Sequence, residues 1–171
     1  METQETSPKQ IMLNYGLMLG LATVVISVAN YAFGNAYEPH WSINILSIGL
    51  MIAFMVLGIK KVKESNEGLL SLGEGLKTGM GIALISGIVG IIYFLLFVNF
   101  IDPDFFTTIA TIQEQKWLDA NMTDEQIEGA KAMMAKMSGP GITSSFMIVF
   151  TLFIGFIISL IAGLAMKQSE E

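Results

Sequence analysis

The chain contains no cysteine and no arginine, and its one histidine is His40. Without cysteine there is no disulfide, no thiolate nucleophile, no thiolate-held metal and no lipoprotein anchor. Without arginine there is no guanidinium fork to clamp a phosphate or carboxylate bidentately. A single histidine excludes every site that needs two. Charge is also scarce: 14% of the 171 residues are charged, where a soluble domain carries about a quarter. Apolar residues take their place, at 53% of the chain and a mean hydropathy of +0.61. That balance calls for a lipid bilayer as solvent. The net charge of -6 argues against nucleic acid as a partner.

Four apolar runs account for most of the length, at about 11–33, 41–59, 78–101 and 142–166. The first exceeds the roughly 7–15 residues of a signal-peptide core, and no convincing cleavage site follows it. It reads as a retained span. The expected fold is all-α: one membrane domain, a four-helix transmembrane antiparallel bundle. An extracytoplasmic amphipathic helical hairpin over about 103–138 separates spans three and four.

Small residues recur at helical spacing in three of the spans. Gly16, Gly20, Thr23, Ser27, Asn30 and Gly34 line one side of the first. Gly75, Gly79, Ala83, Ser86 and Gly90 line the third, with Gly87 beside them, and Thr151, Gly155, Ser159 and Gly163 the fourth. Small side chains let backbones approach, and hydroxyls and amides can bond across the contact. These stripes are expected to face the bundle. The GxxxG pairs Gly16/Gly20 and Gly75/Gly79 could equally serve a homodimer.

Lysine placement sets the expected orientation. Lys60, Lys61, Lys63 and Lys77 lie between spans two and three, and Lys9 and Lys167 fall on the same side. Lys116, Lys131 and Lys136 fall on the other, in the long hairpin segment. The positive-inside rule then places both termini in the cytoplasm and the hairpin outside. Lys60 to Lys77 is read as a loop, with Gly73 and Gly75 bending the chain back into the membrane. In the hairpin segment Asp102 reads as an N-cap with Pro103 as first helical residue. Asn121 breaks that helix, and Thr123 with Gln126 opens the next as a capping box. Gly139-Pro140-Gly141 ends it.

No Asp, Glu, Lys, Arg or His lies within the four apolar runs. Such a residue costs about 2.5–3.5 kcal/mol at a span centre, so transporters keep it for coupling. Asn30, Asn44, Asn99, Ser144 and Ser145 lie toward the outer ends of the spans. They could line a polar crevice, or simply tie helices together. Met133, Met134 and Met137, with Met122 and Met147, could hold Cu(I), or fill a loosely packed face. His40 beside Trp41 and Glu38 could be a ligand or pH sensor, or an ordinary interfacial histidine. Asn121-Met122-Thr123 matches a glycosylation sequon. Tyr31, Tyr37, His40 and Trp41 suit an interfacial belt, and the far end of span three is aromatic, with Tyr93, Phe94, Phe97 and Phe100.

The chain also resembles a known family. The GLMLGL opening of span one, the GIKKVKES stretch after span two and LLSLGEGLKTGMGIALIS entering span three carry the likeness. The DPDFF that follows, the MTDEQIE segment and the small-residue last span extend it. Together they are similar to the domain of unknown function 4199 family, small membrane proteins common in Bacteroidetes. The resemblance implies four spans and a bacterial inner membrane. It implies no activity and no functional residue.

The expected function is that of a non-enzymatic membrane protein without cofactor or metal. Its contacts are the lipid bilayer and a membrane-protein partner or a second copy of itself. The alternatives are a component of a small-solute transport or channel system, and an enzyme on envelope substrates using Asp102, Asp104 and Glu114.

Overall fold

The computed structural model describes residues 7–168; the polar start before Ser7 and the acidic tail after Gln168 lie outside them. Among the described residues every regular element is helical: α1 Pro8–Phe33, α2 Trp41–Ser65, α3 Leu72–Leu96, α4 Phe105–Asp119, α5 Asp124–Met137 and α6 Pro140–Met166. A π-helical turn, Phe97–Ile101, prolongs α3. Four of these helices, α1, α2, α6 and α3 with its π turn, are long and apolar enough to cross a membrane.

The helix ends follow from local chemistry. Ser7 accepts from Gln10 N–H at 3.4 Å while Gln10 reaches back to Ser7 N–H at 3.2 Å, and Pro8 fills the first helical position. His40 caps α2, its Nδ1 accepting from Ser42 N–H at 3.4 Å. This gives the lone histidine a structural use at the helix start. Thr123 and Gln126 form the expected capping box of α5.

Three local expectations are corrected. The lysine-rich segment is helix up to Ser65, because Lys60 to Glu64 are good helix formers with no breaker among them. The chain turns instead at Glu67 and Gly68, with φ of 53° and 88°, the second in a region glycine enters without steric cost. Gly73 and Gly75 lie inside α3, which opens at Ser71: Glu74 accepts from Ser71 N–H at 2.8 Å, and Ser71 Oγ accepts from Glu74 N–H at 3.2 Å. Asp102 does not cap α4. Its N–H closes the π turn onto Phe97 O at 2.8 Å, and α4 begins at Phe105 after Asp104.

The chain forms two compact units, one running up to Gly90 and resuming at Ile148, the other from Ile91 to Met147. The first contains α1, α2, most of α3 and most of α6. Its core is two clusters. Ile11, Ile59, Val62, Leu70 and Ala162 form one; Leu19, Met55, Ile82, Ala83 and Ile158 form the other. The first cluster joins the start of α1, the end of α2, the entry to α3 and the end of α6. These four ends therefore share one side of the unit, as an up-down arrangement requires.

Candidate functional site

In the first unit the small-residue stripes are packing surfaces, and their register can be read residue by residue. A Cβ on Gly75 would lie 3.0 Å from Gly163 Cα, and one on Gly79 would lie 2.8 Å from Ser159 Cβ. One on Gly155 would lie 2.6 Å from Ala83 Cβ, and one on Gly87 would lie 3.5 Å from Thr151 Cγ2. Each step of four along α3 is thus a step of four back along α6. The two helices run antiparallel; at Gly75, Gly79 and Gly155 small residue faces small residue at distances that exclude larger side chains, while Gly87 also takes Ile148 Cδ1 at 2.7 Å.

Gly16 and Gly20 work differently. A Cβ on either would lie 2.7 Å from a Cβ of α3, that of Ile85 for Gly16 and of Val89 for Gly20, and Met12 sits likewise on Gly81. Here glycine makes the hole and a β-branched residue is the knob, with α1 and α3 parallel. Both GxxxG pairs are therefore covered within the chain.

The stripes also stop short of their sequence extent. Ser27 is exposed and Asn30 half-buried, and a Cβ on Gly90 would meet nothing within 4 Å. Gly87, set beside the stripe in the sequence reading, takes the place facing Thr151. Nor do these hydroxyls reach across helices. Thr23 donates to Gly20 O at 2.8 Å, Ser27 to Thr23 O at 3.0 Å, Ser86 to Ala83 O at 3.0 Å and Ser159 to Gly155 O at 2.6 Å. The carbonyl three or four residues back lies within reach of a helical hydroxyl, and away from water it is the nearest acceptor.

The lysines between spans two and three divide by role. Lys63 Nζ donates to Met166 O at 3.0 Å, closing the C-terminus of α6 where carbonyls lack partners. Lys61 pairs with Glu64 at 3.4 Å on an exposed surface. Lys60 and Lys77 are exposed. Leu70 and Gln168 exchange two backbone hydrogen bonds of 2.9 Å beside this end, and Asn66 Nδ2 donates to Glu74 Oε1 at 3.1 Å. The Ser71/Glu74 box was visible as S-x-x-E. The use of Lys63 had no signal in the sequence, because its acceptor lies 103 residues away.

The second unit carries the hairpin. Phe105 stands edge-on to Phe94 at 6.4 Å and to Phe97 at 5.4 Å, and Phe106 edge-on to Phe94 at 6.2 Å. Edge-to-face rings of this kind anchor the first turn of α4 on the end of α3. Phe94 and Phe97 thus serve an internal cluster, while Phe100 is 78% exposed. Between α4 and α5, Ile127 is buried and Lys131 Nζ meets Glu114 Oε1 at 2.6 Å. Beside that ion pair runs a groove of about 210 Å³ lined by Phe106, Ala110, Glu114, Lys131, Met134, Ala135 and Ser138. Ligand pockets for small molecules are about 300–1,000 Å³. This groove has room for one or two side chains. Met133 and Met137 of the methionine group are exposed and Met134 lines the groove.

The polar residues at the outer span ends use their donors locally. Asn30 donates to Asn35 O at 3.3 Å, Asn99 to Leu95 O at 2.7 Å and Ser145 to Gly141 O at 2.9 Å. Ser144 Oγ is buried with no partner, and Asn44 is exposed.

The fold defines an all-helical, multi-pass membrane protein with four candidate spans. Within that class, the chain belongs to the family described as "Protein of unknown function (DUF4199)", whose model matches residues 14–168. No curated protein and no solved structure matches the chain.

Proposed function

We propose that this protein is a non-enzymatic component of a bacterial inner membrane, with both termini and the α2–α3 turn cytoplasmic, whose α4–α5 hairpin receives a membrane-protein partner on the outer side. The observation that carries the reading is the groove beside Glu114 and Lys131. It is sized for side chains, mainly apolar, and set on a hairpin stiffened by its own capping box and ion pair. Six lysines at one end against three in the hairpin segment support the orientation. A transport reading needs polar groups free to line a path. Asn30, Asn99 and Ser145 instead direct their donors to nearby backbone, which leaves only Asn44 and Ser144 of this group for such a path.

The absence of cysteine makes the orientation directly testable. Single cysteines replacing Asn66 and Asn121 should be labelled by an impermeant maleimide from opposite sides of the membrane. For the partner, a photo-crosslinker replacing Ala135 in the groove should give a discrete adduct in cells, and one replacing exposed Gln115 should not. Lipid adducts alone, or the same adducts from both positions, would refute partner binding at the groove.

A further inference from the structure

α1, α2 and α3 each carry an exposed lysine at the same end, near the outward-facing residues of the helix, and Lys167 follows the end of α6 there. On α1, Lys9 stands one turn below exposed Leu13, in line with Leu17 and Leu21 at steps of four. On α3, Lys77 lies on the side of exposed Leu84 and Ile88, away from the stripe that meets α6. On α2, Lys60 follows exposed Leu57, and Lys167 comes directly after the last turn of α6, whose outward residues are Ile161 and Leu164. The buried cluster of Ile11, Ile59, Val62, Leu70 and Ala162 holds these four helix ends together on one side.

Of the carboxylates at that end, Glu2, Glu5, Glu170 and Glu171 lie outside the described residues. Glu64 faces Lys61, and Glu74 is held by Ser71 and Asn66. Glu67 lies in the turn at φ 53°. Lys9, Lys60, Lys77 and Lys167 have no carboxylate partner among the described residues. A lysine at the foot of an apolar helix face lays its methylenes along that face and carries its ammonium to headgroup depth. Four such groups, on α1, α2 and α3 and just past the end of α6, would stand at headgroup depth at one end of the unit.

We infer that these lysines bind anionic phospholipid headgroups, giving the bundle a selected set of acidic lipids in the leaflet they face. The inference needs only the four spans, so it stands whether or not the hairpin has a partner and whichever way the protein is inserted.

The test uses the full chain reconstituted in phosphatidylcholine bilayers with a trace of spin-labelled phosphatidylglycerol or spin-labelled phosphatidylcholine, comparing the motionally restricted fractions. Phosphatidylglycerol should be preferred about fivefold at low salt, corresponding to roughly 1 kcal/mol per lysine near the surface. The preference should fade in about 1 M NaCl, where the Debye length is about 3 Å. Replacing Lys9, Lys60, Lys77 and Lys167 with Gln should bring the two lipids to parity, whereas Lys116→Gln with Lys131→Gln and Lys136→Gln should leave the preference in place. Inorganic phosphate should compete no better than chloride at matched ionic strength; stronger competition would mean a soluble anion site and overturn the lipid assignment. Equal restriction of both lipids by the unaltered protein, which involves no variant that could misfold, would also overturn it. So would a preference surviving in the four-lysine variant.

Discussion

Helices α1 and α2 each bury residues fully in one half and none in the other. Toward the lysine-bearing end they bury Ile11, Gly16, Leu19 and Gly20 from α1, and Met55, Gly58, Ile59 and Val62 from α2. Over 21–33 and 41–54 the same two helices bury nothing. The sequence pattern hardly changes between the halves, since Thr23, Ser27 and Asn30 continue the line of Gly16 and Gly20. What differs is the complement. Gly16 and Gly20 receive Ile85 and Val89, whereas Ser27 turns its hydroxyl back to its own helix. A small residue creates the possibility of close approach, and a matching knob or a second small residue makes it a contact.

Substitutions at the two halves should respond accordingly when unfolding is followed in mixed detergent micelles. The largest effect is expected at Gly75→Leu, where the nearest atom is the backbone Cα of Gly163 and nothing flexible can give way. A loss of about 3 kcal/mol or more is expected there. Gly16→Leu should cost nearly as much, since a Cβ there would lie 2.7 Å from Ile85 Cβ and 3.1 Å from Ile82 O, atoms that move only with their backbone. Lys63→Met should lower stability by about 1 kcal/mol, since it strips the charged donor from Met166 O at the end of α6. In the hairpin, Thr123→Ala should cost about 1 kcal/mol of local stability, read by amide exchange over α5. The smallest effects, within about 0.5 kcal/mol, are expected for Ser27→Ala and Gly90→Ala, which face open space. A Gly90→Ala loss as large as that of Gly75→Leu would erase the distinction drawn here.

Much of the architecture was legible along the chain. The four apolar runs mark the four long helices, and T-x-x-Q marks the start of α5, because span length and capping depend on residues a few positions apart. The lysine-rich stretch lacks the apolar pattern of a span, yet α2 continues through it to Ser65, because lysine and glutamate suit a helix that leaves the membrane. Asp102-Pro103 has the sequence of a helix start, yet α4 begins at Phe105 because a π turn over Phe97–Ile101 closes on Asp102 N–H, and nothing local announces that turn. The groove beside Glu114 and Lys131 was not foreseen either, since those residues lie 17 positions apart on two helices.

By itself the sequence determined how many times the chain can cross a bilayer, which faces are small and which end is rich in lysine. All of these follow from transfer free energy, hydrogen-bond geometry and charge within a few turns. Only the tertiary structure decided the register. A four-residue repeat of small side chains looks the same after sliding by one step, so the sequence allows Gly79 several partners on α6. The turn at Gly68, the Leu70–Gln168 pairing, the Lys63 cap and the large side chains between the stripes fix the one alignment in which Gly79 meets Ser159 and Gly87 meets Thr151.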